Sequence, residues 1–141
     1  MQKIQADGLP LPQRYGAILT IIIGISMAVL DGAIANVALP TIASDLNATP
    51  ASSIWVVNAY QIAIVISLLT FSFLGDMFGY RRIYKFGLVA FLLSSLLCAL
   101  SDTLQLLTMA RIAQGIGGAA LMSVNTALIR LIYPQRFLGR G

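Results

Sequence analysis

Four long apolar runs dominate this chain: residues 17–39, 54–74, 83–101 and 104–129, separated by short polar segments. Each approaches or exceeds the roughly 20 residues that an α-helix needs to cross a bilayer. None alternates with the period of two that a barrel strand requires, and a helix satisfies its backbone polar groups internally, as hydrocarbon demands. The expected fold is therefore an all-α membrane protein with four transmembrane helices. Composition agrees: 58% of residues are hydrophobic, 10% are charged and the mean hydropathy is +0.87, too apolar for an ordinary soluble domain.

Lys and Arg set the orientation. Lys3 and Arg14 precede the first run, Arg81 and Arg82 lie between the second and third with Lys85 at the start of the third, and Arg130, Arg136 and Arg140 follow the fourth. Segments 40–53 and 101–103 hold no basic residue, only Asp45 and Asp102. This asymmetry predicts cytoplasmic termini, with 1–16 as an N-terminal cytoplasmic segment, 17–132 as the bundle and 133–141 as a cytoplasmic loop. The net charge of +4 and pI near 9.6 thus reflect topology and give no reason to expect nucleic acid as a partner. The first run is too long for a signal-peptide core and is followed by further runs.

Segment 40–53 (PTIASDLNATPASS) is polar and rich in breakers, and Pro50 is expected to keep it from continuing as helix. The connection 101–103 is so short that the third and fourth helices should be antiparallel neighbours. In the inner connection, Gly75 and Gly79 permit a tight turn, with Asp76, Arg81 and Arg82 around it. The chain stops in a basic segment without a terminating feature, and reads as a severed end.

Several chemistries are excluded. With no histidine, His-based zinc sites and triads cannot form, and the single Cys98 allows neither an intrachain disulfide nor a CxxC-type site. Few enzyme constellations remain, so no enzymatic activity and no cofactor are expected. Gly115, Gly117 and Gly118 fall inside an apolar run, out of the strand–loop–helix context of a nucleotide loop, and suit close helix packing.

Of the fourteen charged residues (nine basic, five acidic), only Asp31 and Arg111 lie deep inside apolar runs. A charge at membrane depth is costly and usually faces a partner or a watery path. At 1.5 Å rise per residue both sit roughly 10–12 Å below the outer ends of their runs, so they can pair if the two helices adjoin. Polar residues share helical faces nearby: Asn58 and Gln61 on the second run, and Arg111, Gln114, Met122 and Asn125 on the fourth. Such a face suits a cavity for varied amphipathic molecules, because Met repacks easily; interhelical hydrogen bonding explains its amides equally well.

Three segments resemble motifs of the major facilitator superfamily, in particular its drug:proton antiporters with fourteen spans. Residues 30–40 (LDGAIANVALP) resemble a first-span signature LDxTIVNVALP. Residues 72–82 (SFLGDMFGYRR) resemble the loop motif GxLADRxGRRR, with Ser72, Met77 and Tyr80 departing from it. Residues 107–118 (LTMARIAQGIGG) resemble the fourth-span motif LxxxRxxQGxG. The resemblance implies the first four helices of a six-helix bundle, embedded in the bacterial plasma (inner) membrane. It further implies a proton-coupled exporter of small amphipathic or cationic compounds, completed by a missing remainder of the transporter.

On this footing Asp31 is expected to take up a proton and Arg111 to modulate it. A low dielectric favours the neutral carboxyl, a nearby guanidinium favours the ionised one, and a change in their separation would load and release the proton. Structural neutralisation of one charge by the other, and direct contact of Asp31 with a cationic substrate, are the alternatives. Asn58, Gln61, Gln114, Met122 and Asn125 are the candidate substrate-cavity residues. Asp76, Gly79, Arg81 and Arg82 are the candidate cytoplasmic gate. A different class, a stand-alone four-helix pump or accessory subunit, is the competing expectation.

Overall fold

The computed structural model describes residues 11–45 and 47–132; the ends expected to be cytoplasmic, 1–10 and 133–141, lie outside the described residues. Four α-helices follow in order: α1 (Leu11–Asp45), α2 (Pro50–Phe78), α3 (Tyr80–Ala99) and α4 (Leu104–Ile132). All four are long and apolar enough to cross a membrane. Many of their large apolar side chains, including Val37, Val65 and Leu69, point outward. A water-soluble bundle hides such residues, whereas in a bilayer lipid takes the place of a core.

The fourth helix is the centre of the fold. It packs extensively along both α2 and α3, which touch each other far less, and it makes a smaller contact with α1. Glycines make the close approaches possible. A Cβ added at Gly117 would lie 2.7 Å from the backbone nitrogen of Phe91 on α3, and one at Gly115 would lie 2.7 Å from the carbonyl oxygen of Tyr60 on α2. The small-residue patch on α4 thus serves two interfaces at once. Along α3, Ile83, Tyr84, Gly87, Phe91 and Ser94 are buried at steps of one, three and four, which is one helical face. Ile83, Tyr84 and Phe91 join Ile21 and Ala28 of α1 and Ala120, Leu121, Val124, Leu128 and Ile132 of α4 in an apolar core.

The helices outrun the apolar runs, and this corrects the expected loops. Segment 40–53 is mostly helical: α1 continues through Pro40 to Asp45, and α2 already starts at Pro50. Pro40 withholds one backbone donor within α1, which the rest of the ladder tolerates. Pro50 opens α2 at a position where no donor is needed. Thr49 caps that end, its hydroxyl accepting from the backbone N–H of Ser52 at 3.2 Å. The inner connection shrinks to Gly79 alone, at φ 94°, a conformation that glycine adopts without strain. Gly75 does not turn the chain; it is buried within α2 against Tyr80 and Val124. Between α3 and α4, Thr103 caps the new helix by accepting from the N–H of Leu106 at 3.2 Å.

Candidate functional site

Where α1 meets α4, the structure closes a polar cluster inside an otherwise apolar molecule. Arg111 and Gln114 stand three residues apart on α4 and so project from one face. The guanidinium donates through Nη1 to Asp31 Oδ2 of α1 at 2.6 Å and to Gln114 Oε1 at 2.8 Å. Gln114 in turn donates through Nε2 to Asp31 Oδ1 at 2.8 Å. The three side chains form a ring in which each touches the other two. Asp31 and Arg111 thus form an ion pair between two helices at membrane depth.

Two more residues complete the surroundings. Tyr60 of α2 lies under the guanidinium, with Arg111 Cζ 5.6 Å from the ring centroid, inside cation–π range. It reaches that place because Gly115, beside Arg111 on α4, carries no side chain to hold α2 away. The Cys98 thiol of α3 donates weakly to Gln114 Oε1 at 3.6 Å. All four helices therefore contribute a side chain.

Burial decides what the cluster can do. Gln114 is completely enclosed, while the side chains of Arg111 and Asp31 retain 11% and 17% of their exposure. The charges are largely enclosed, which makes each costly without its partner. In an arrangement of this kind, a change in the charge of one partner changes the hydrogen bonds of the other two.

The sequence expectations fare unequally. Asp31 and Arg111 meet, as their matched depths allow. Gln114 is built into the pair and, in this conformation, offers no atom to a ligand. Asn58, Gln61 and Met122 are exposed, and none of them hydrogen-bonds to the cluster. Asn125 is half-buried, its Oδ1 enclosed without a partner among the described residues. At the other end of the bundle Asp76 accepts a 2.5 Å hydrogen bond from the hydroxyl of Tyr80, the residue that replaces an arginine of the loop motif. Arg81 and Arg82 are exposed. Sequence reasoning missed Tyr60, which nothing in its neighbourhood singles out. It also missed an open groove of about 530 Å³ between the first turns of α2 and α4, lined by Ser52, Trp55, Leu104, Gln105, Thr108 and Met109.

Comparison with known proteins adds an independent line. The model of the Major Facilitator Superfamily matches residues 21–141. Over all 141 residues the chain is 89% identical to the uncharacterised transporter YebQ of Escherichia coli strain K12, covering 31% of that protein. It is 35% identical to the riboflavin transporter RibZ of Clostridioides difficile over 93% of the chain and 29% of RibZ. It is 32% identical to multidrug resistance protein 3 of Bacillus subtilis over 87% of the chain and 24% of that relative. The chain thus spans less than a third of the length of these curated relatives. No solved structure matches it.

Proposed function

The chain belongs to the Major Facilitator Superfamily, and on that premise we propose that it forms the first part of a proton-coupled exporter of small amphipathic or cationic compounds. It is a multi-pass protein of the bacterial inner membrane. Relatives named for multidrug resistance support the substrate class, and the match along residues 21–141 favours this reading over a separate class of small four-helix pump. Both termini face the cytoplasm in this reading. Its support is that Arg14, at the start of α1, and Arg81, Arg82 and Lys85, at the start of α3, fall at the same end of a bundle whose successive helices reverse direction.

One observation carries the coupling: a carboxylate and a guanidinium in direct contact, largely sealed from water, on two different helices. Protonating Asp31 removes the charge–charge attraction, so proton uptake and the relative position of α1 and α4 are linked. Asn58, Gln61, Met122 and Asn125 line the substrate path, and Gln114 borders it from within the charge pair. Gly79 with Asp76, Arg81 and Arg82 gates the cytoplasmic side, the two arginines being exposed and so accessible to a partner helix. The proton gradient is the driving force and no cofactor takes part.

The test is efflux from vesicles holding the complete protein that carries this sequence, with and without an imposed pH gradient. Asp31→Asn abolishes the acceleration by the gradient in this reading; unchanged acceleration would refute it. A purely structural pair makes a different forecast. The charge-free double substitution Asp31→Asn with Arg111→Gln would then keep gradient-driven efflux, whereas coupling through Asp31 predicts its loss.

A further inference from the structure

The two oxygens of Asp31 are held by different partners. Oδ2 faces Arg111 Nη1 at 2.6 Å and Oδ1 faces Gln114 Nε2 at 2.8 Å. The polarity of Gln114 is fixed by its surroundings: its oxygen accepts from both Arg111 Nη1 and the Cys98 thiol, so its amino group must point to Asp31. Gln114 is 0% exposed, and water cannot replace these bonds.

We propose that Gln114 is the positioning residue of the charge pair, tethering Asp31 through Oδ1 so that the proton is gained and lost at Oδ2. The inference rests on the proton-coupling reading above and adds to it the atom that reacts and the residue that selects it. A proton delivered by water bonds to Oδ2, turning an acceptor into a donor. The O–H cannot face the N–H of Arg111, so that contact opens. Nothing else in the ring has to break: Oδ1 still accepts from Gln114, and Nη1 still donates to Gln114 Oε1, with the guanidinium resting on the Tyr60 ring. Release of the proton restores the direct contact. Gln114 thereby keeps both partners in register across the cycle, and separation is confined to one hydrogen bond.

The titratable and charged groups facing Asp31 are Tyr60 from α2, Cys98 from α3 and Arg111 from α4. The other described acids, Asp45, Asp76 and Asp102, stand at helix ends or in a connection. A change at Gln114 therefore acts on a carboxyl with few charged neighbours.

The experiment is an infrared pH titration of the carboxyl stretch in the complete protein, reconstituted in lipid nanodiscs, with Asp31→Asn identifying the band. Gln114→Met keeps the volume and removes the donor to Oδ1, which weakens the ionised carboxyl; the midpoint should rise by about one pH unit. Gln114→Glu sets a second carboxylate against Oδ1 and should raise it further. The Glu variant is nearly isosteric and decides the matter if the Met variant does not fold. Midpoints within about 0.2 units of the wild type in the folded variants would overturn the tether while leaving coupling intact. A band that survives in Asp31→Asn, with no other carboxyl signal lost, would overturn proton uptake at Asp31 and the tether with it.

Discussion

The two sides of α4 are joined to the rest of the molecule in different ways. Towards α2 and α3 the contact is made by glycines, alanines and aromatic rings, with backbones touching at Gly115 and Gly117. Towards α1 the apolar contact is slighter, contributed by residues such as Ile21 and Ala28. Polar ties supplement it: the Asp31–Arg111–Gln114 ring, and from α3 the hydroxyl of Tyr84, which donates to the carbonyl of Thr20 at 2.8 Å over Gly24. Packing of the first kind is indifferent to protons. Ties of the second kind are not, because the strength of the ring depends on the charge of Asp31. Under the proposed coupling, α2, α3 and α4 form the fixed body and α1 is the helix whose attachment a proton would loosen.

Substitutions can break this division. The largest effect is expected for Gly117→Leu, whose side chain must displace the backbone of α3 at Phe91; a loss of about 3 kcal/mol or more is expected, seen as a lowered unfolding midpoint in mixed detergent. Gly16→Ala, with no atom within 4 Å of the added carbon, is its control and should change the midpoint little. Next comes Arg111→Met. It leaves the Asp31 carboxylate without its counter-charge, at about 2 kcal/mol, reduced from the fully buried case because the side chain keeps 17% of its exposure. Spin-label distances from α1 to α3 should broaden while those from α4 to α3 stay sharp, and adding Asp31→Asn should restore much of the order. Equal broadening at both would erase the distinction between the two sides. The smallest effect belongs to Tyr84→Phe, which removes one hydrogen bond to α1 at about 1 kcal/mol and should loosen only its inner half.

The four helices were legible because each long apolar run demands a continuous internal hydrogen-bond ladder in lipid. Their ends were less so. An apolar run stops where water or headgroups begin, but the ladder does not, so α1 passes Pro40 and α2 reaches Phe78. Asp31 and Arg111 stood out as charges in the wrong solvent, and their depths anticipated the contact. Gln114 was half legible: its spacing from Arg111 put both on one face, yet only the position of α1 turns that face inward. Tyr60 was invisible. Its role comes from Gly115, a residue on another helix, whose lack of a side chain brings the ring within reach of the guanidinium. The replacement of a motif arginine by Tyr80 looked like a lost charge, whereas the structure gives its hydroxyl to Asp76.

A joint of one residue has mechanical consequences of its own. Because α2 ends at Phe78 and α3 begins at Tyr80, any change in the angle between them must pass through the two dihedrals of Gly79. Because α4 is packed along both α2 and α3, it holds the angle that those two dihedrals alone would leave free. The turn and that packing together make the three helices one rigid corner of the bundle.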